Sequence, residues 1–189
     1  LAQAAVDDKR GPFSNFYLTD MEWYELDLAA WLHDCGKIAT PDHIMEKSTK
    51  LETIFDRIEH IEAKFEVIKR DLEISYQKQI ISAMKLNRPI EVLQFERLLD
   101  TELKQLSLDR AFLQRVNVGG EFLSDEDVAN IDRIASHYHL TINGKDTPLL
   151  NADEVENLQI RRGTLTLGER DVMKRHMDVT KNILDTLPF

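Results

Sequence analysis

The chain has 189 residues, 42% of them hydrophobic, which is enough to bury one sizeable core and does not require a second independent domain. Its formal net charge of -10 argues against a general binder of nucleic-acid polymers or anionic membranes, because an anionic ligand must then find a local source of positive charge such as metal ions. The single cysteine, Cys35, excludes an internal disulfide and fits a reducing, cytoplasmic compartment, and no apolar run approaches a membrane span or a signal peptide.

Gly and Pro are scarce, 7 and 5, and few stretches alternate as a strand does, so the sequence reads as all-α. Leu1 and Leu187-Pro188-Phe189 do not read as natural termini, and the chain is expected to be a segment of a larger protein. Thr19 and Glu22 have the spacing of a capping box and predict a helix from about Met21 to Cys35. Apolar residues occupy nearly every side of its second half, from Leu26 to Leu32, which predicts burial all round. Gly36 is read as its stop, with Pro41 preventing continuation.

From Leu51 the spacing changes. Leu51, Ile54, Ile58, Ile61, Phe65, Ile68 and Leu72 recur in steps of three and four, a heptad seam that predicts a coiled-coil helix to about Asn87. Such a helix is on the order of 55 Å long and must project outward. Arg88-Pro89 breaks it, and Val92, Phe95, Leu99, Leu103, Leu106 and Leu113 supply the returning seam of an antiparallel hairpin. Residues 117–120 form a linker, Ser124 and Asp127 open a helix to about His137, and Asn143-Gly144 reads as a turn. Thr166 and Glu169 repeat the capping-box spacing and predict a last helix to about Thr186, with Val172, Met173, His176, Val179, Thr180 and Ile183 on one stripe and Pro188 closing it.

Two features carry chemistry. His33-Asp34 puts an imidazole beside a carboxylate at a helix end, an arrangement that a transition-metal ion compensates, although a structural His with a capping Asp explains the dipeptide as well. Lys37, one turn on, offers positive charge to a phosphate. His176 shares the apolar stripe of the last helix and is expected to point inward.

The stretch Leu32-His33-Asp34-Cys35-Gly36-Lys37-Ile38-Ala39-Thr40-Pro41-Asp42 resembles the segment that names the HD phosphohydrolases, in the form of the HD-GYP subfamily. Arg162-Gly163-Thr164-Leu165-Thr166 with Glu169 through His176 resembles the helix that brings that subfamily's next metal-binding His, and the likeness runs on through Ile183 to Phe189. Together these stretches cover roughly a third of the chain. In the ordinary pattern only a few residues separate them. Here the hairpin intervenes, and residues 47–54, 65–71 and 119–122 look like a variant of the subfamily that carries such an insertion.

The resemblance implies an HD-type helical bundle built from residues 1–50 and 161–189, interrupted by a hairpin over 51–118 and a helical connector over 119–160. It implies divalent metal ions, most often iron or manganese, two or three per complete site, acting on cyclic di-guanosine monophosphate in bacterial signalling. His33 and His176 would each bind an ion, Asp34 would bridge two, and Lys37 would approach the substrate phosphate; Asp34 and Lys37 are the expected catalytic pair. The subfamily also has an earlier His, a later His-His pair, a Gly-Tyr-Pro motif and a final Asp, none of which occurs in these residues, so the segment by itself is expected to be inactive. The hairpin is expected to serve as a homodimer contact or a signal-receiving lever. Two alternatives remain: an HD hydrolase of another phosphate ester, and a non-catalytic signalling or dimerisation domain.

His43, His60, His137 and His139 are read as surface residues, and Cys35 as small buried packing rather than a redox-sensitive thiol.

Overall fold

The computed structural model describes residues 1–8, 10–86 and 92–186. It is mostly helical, and the chain divides into two compact units, one made of Leu1–Pro41 with Asp171–Phe189 and the other of Asp42–Arg170. None of the described helices is long and apolar enough to cross a membrane.

In the first unit, α1 (Ala2–Asp7) precedes α2 (Asp20–Leu32). The Thr19 hydroxyl accepts from the Glu22 amide while the Glu22 carboxylate accepts from the Thr19 amide, so the expected capping box starts α2. The helix ends three residues earlier than its composition predicts, at Leu32, and a tight 3-10 turn over Cys35–Ala39 follows. No residue of α2 is buried, and Tyr24 and Trp31 are exposed. The expectation of burial all round is therefore corrected: apolar residues on every side make a helix able to be covered, but covering needs partners. Cys35 is half-buried rather than buried.

The last helix of the sequence reading is two helices, α8 (Leu167–Lys174) and α9 (His176–Thr186), interrupted at Arg175. The capping box at its start forms as expected, with Thr166 and Glu169 exchanging hydrogen bonds of 2.8 and 3.2 Å. The closure expected at Pro188, and the end of the family resemblance at residues 187–189, lie outside the described residues.

The second unit contains α3 (Asp42–Met45), α4 (Ile58–Lys85), α5 (Val92–Asn117), α6 (Asp125–His137), β1 (His139–Ile142), β2 (Lys145–Pro148) and α7 (Ala152–Leu158). Helix α4 starts seven residues after Leu51, because residues 51–57 form a compact turn in which Glu52 accepts from the Ser48 and Thr49 amides. Leu51 is buried outside any helix and Ile54 is exposed, so these two do not belong to the seam. With 28 residues, α4 is about 42 Å long rather than 55 Å. The break expected at Arg88-Pro89 lies outside the described residues.

Helices α4 and α5 are antiparallel. Arg110 reaches Glu66 at 2.8 Å and Glu62 at 3.1 Å near one end of the pair, while Tyr76 meets Phe95 edge to face, 6.2 Å between centroids, toward the other. The seam is consumed internally: Ile61, Phe65, Ile68, Leu106 and Leu113 are buried together with Ile131, Ile134, Tyr138, Leu140, Leu149 and Leu158 from the segment that follows. Hairpin and connector thus share one core, and residues 42–50 and 161–170 belong to it as well, so the unit extends beyond 51–118 on both sides. The inner seam is not available as a dimer contact.

One small two-stranded antiparallel hairpin accompanies the helices, and the all-α class stands. β1 and β2 pair in register from His139↔Pro148 to Ile142↔Lys145, around Asn143 and Gly144 at φ 52° and 75°. Two successive positive φ values match the right-handed strand twist, which is why Asn-Gly stands at this turn.

Buried polar groups bind the second unit. The Asp109 carboxylate accepts from the Tyr138 hydroxyl at 2.8 Å, Gln105 at 2.9 Å and Arg133 at 2.5 Å. Lys47 donates to Asn157 and to both oxygens of Glu169, each at 2.9 Å, and Lys50 donates to the Leu158 carbonyl at 3.0 Å. Charges of this kind stay buried only when hydrogen-bonded.

Candidate functional site

The site lies wholly in the first unit, where the Cys35–Ala39 turn packs against α9. Gly36 makes this approach possible. A Cβ there would fall 2.0 Å from the His176 carbonyl oxygen and 2.5 Å from the Thr180 amide nitrogen, so only a residue without a side chain fits. Its amide donates to the Thr180 hydroxyl at 3.0 Å across 144 positions of sequence, and the same hydroxyl lies 3.4 Å from the His33 carbonyl. Thr180 is buried. In the sequence it stands out only as a hydroxyl on the apolar stripe of the last helix.

That contact sets α9 so that its first residue faces the end of α2. His33, Asp34, Lys37 and His176 lie together: His33 Nε2 lies 3.2 Å from Asp34 Oδ2, His176 Nε2 lies 3.9 Å from Asp34 Oδ1, and Lys37 Nζ lies 2.6 Å from Oδ2. His176 is largely enclosed, as expected, while His33 is mostly exposed. The Lys37 hydrogen bond holds the Asp34 carboxyl below the usual carboxylate range; burial opposes this, and the electrostatic influence of the neighbouring basic side chains reinforces it.

The imidazoles are alike in their anchoring. His33 Nδ1 faces the Ala30 carbonyl at 2.7 Å and His176 Nδ1 faces the Met173 carbonyl, each three residues back on its own strand of chain. A carbonyl only accepts, so Nδ1 carries the proton in both, and Nε2 of a neutral ring is left with its lone pair. Nε2 then faces a carboxylate, acceptor against acceptor. A cation between them, or a proton on the ring, relieves this. Two anchored Nε2 donors around a carboxylate are a fitting donor set for a divalent transition metal. Each ring faces a different oxygen of Asp34, so the three side chains do not converge on one point, and among the described residues no group of three or more His, Cys, Asp or Glu is already placed around a single ion position.

The other histidines stand apart: His43, His60, His137 and His139 are exposed. In the second unit a cleft of about 590 Å³ is lined by Arg161, Arg162 and Arg170 with Val155, Ile160 and Leu165. Its cations are partly committed to the fold, Arg161 to Asp125 at 2.5 Å and Arg170 to the carbonyls of Leu165 and Arg162.

Comparison of the chain with family models, with curated proteins and with solved structures finds no match.

Proposed function

We propose that this chain carries part of the metal centre of an HD-GYP-type phosphodiesterase that hydrolyses cyclic di-guanosine monophosphate. One observation carries the reading: His33, Asp34 and His176, separated by the whole second unit in sequence, meet with both Nδ1 atoms anchored and both Nε2 atoms turned to opposite oxygens of one carboxylate. These three side chains are the ones that would hold divalent ions, with Asp34 offering an oxygen toward each imidazole.

Divalent ions, iron or manganese in this reading, would supply at this site charge neutralisation of a phosphodiester and an activated water. The chain's own residues do the holding. His33 and His176 would donate through Nε2 and Asp34 through its two oxygens, and the Nδ1–carbonyl contacts already fix both ring planes. Lys37 sits on Asp34 in an ion pair, 40% exposed at each side chain, and its amine would be the group to meet a substrate phosphate. Three ligands do not complete a two- or three-ion site, so turnover is expected of a protein that supplies the remaining ones.

The Lys37–Asp34 pair also supports a second reading, a metal-free signalling domain in which Lys37 is the permanent counter-ion of Asp34. The deciding experiment measures metal content and hydrolysis of cyclic di-guanosine monophosphate on the longest available form of the protein and on its His33→Ala, Asp34→Ala variant. Bound iron or manganese with turnover that the variant abolishes supports the enzyme; a folded, metal-free and inactive protein overturns it in favour of signalling. Turnover of a different phosphate ester alone would keep the metal centre and replace the substrate.

A further inference from the structure

Helix α4 has a second apolar stripe that the fold does not use. Val67, Ile74 and Ile81 are 42%, 46% and 51% exposed, with Met84 at 59% one turn further on. Successive members of the first three are seven residues apart, so they line one side of the helix with only a slow drift. Val67 and Ile74 follow the seam positions Phe65 and Leu72 by two residues, which places the stripe about 200° round the helix from the packed side, and Ile81 continues it one heptad further. Single exposed apolar residues need no explanation, but three β-branched residues in strict heptad spacing on the outer side of a helix do.

We propose that this stripe pairs with the same stripe of a second copy of the chain, joining two hairpins side by side through α4. The flanking charges favour a copy over an unrelated helix. With Val67, Ile74 and Ile81 as the central heptad positions, Lys78 meets Glu73 of the second copy if the helices run parallel and Asp71 of the second copy if they run antiparallel, twice by symmetry in either case. The like-charge approach of Glu66 to Asp71 in the parallel arrangement is offset by Arg110, which already holds Glu66 at 2.8 Å. From Val67 to Met84 the contact is about 27 Å long, which puts the interface at the small end of specific interfaces and the dimer in the reversible, micromolar class. The assembly does not rest on the enzymatic reading.

Sedimentation equilibrium over a wide concentration range tests this on the full chain. Wild type is expected to dimerise reversibly, and Ile74→Asp, with unchanged circular dichroism, to raise the dissociation constant at least about tenfold. Lys78→Glu, at an exposed position that cannot disturb the core, is expected to weaken dimerisation alone and to recover it when mixed with an Asp71→Lys, Glu73→Lys variant. A wild type that stays monomeric throughout, a dimer indifferent to Ile74→Asp and Lys78→Glu, or a mixture that fails to recover association overturns the proposal.

Discussion

The amide of Gly36 donates to the hydroxyl of Thr180 at 3.0 Å, a contact that ties the turn after Asp34 to the helix that begins at His176. Gly36→Ala is expected to push the turn off α9, since the added methyl meets backbone rather than a yielding side chain, with a loss on the order of 1–3 kcal/mol or more. Thr180→Val keeps the shape but orphans a buried amide, at about 1–3 kcal/mol. Thermal unfolding of both variants, and in metal-loaded protein a loss of affinity for each, checks the argument; wild-type affinity in Gly36→Ala would contradict it.

Lys37→Met removes the hydrogen bond that contributes most to lowering the Asp34 pKa. A carboxyl whose folded value is depressed adds stability above its unfolded value and gives it up as pH falls through the lowered one. In the variant that loss begins at higher pH. A carbon-13 NMR titration of the Asp34 carboxyl should show its midpoint rise toward the ordinary carboxylate range, and an unmoved midpoint would show that Lys37 does not hold it.

Lys50 behaves oppositely. Burial takes its amine from 10.5 down to about 8, against the attraction of Asp127 and with the repulsion of Arg115. Between about 8 and 10 the unfolded chain binds a proton there that the folded chain has released, so stability rises with pH through this window. Denaturant titrations at pH 7.5 and 9.5, approximate points either side of the folded value, should differ in wild type and lose that component of the difference in Lys50→Met.

Asp109 receives three donors in the core of the second unit, and Tyr138 is pushed up from its usual range by burial and by that carboxylate. Asp109→Ala leaves Arg133 and Tyr138 without their acceptor and is expected to cost about 3–5 kcal/mol. Tyr138→Phe removes one donor of three and should cost about 1 kcal/mol, with additivity failing in the double variant because both act on one network.

What could be read from sequence was local. The capping pairs Thr19–Glu22, Ser124–Asp127 and Thr166–Glu169 all form, because their partners are three residues apart and need nothing else. The metal-ligand candidates were legible as a motif, and their meeting is a property of the fold. The break at Arg175 carries no Gly or Pro to announce it, and the 3-10 turn after Asp34 follows Gly36, which reads equally well as a helix stop. Burial of Lys47 and Lys50 was hidden because their acceptors, Asn157, Glu169 and the Leu158 carbonyl, lie more than a hundred positions away. The β1–β2 hairpin was missed because four-residue strands hold too few alternations to outweigh a helical background.

The Lys47–Glu169 ion pair has a kinetic consequence. Lys47 lies near one end of the second unit and Glu169 near the other, so once that contiguous unit has folded its two chain ends are fastened together. Gly36 and Thr180 then no longer have to find each other across a free loop of 144 positions. Shortening that loop to an effective ten or so residues lowers the entropy of closure by about 2 kcal/mol. The second unit is therefore expected to fold first, with the histidine–aspartate constellation assembling on chain ends already brought within reach.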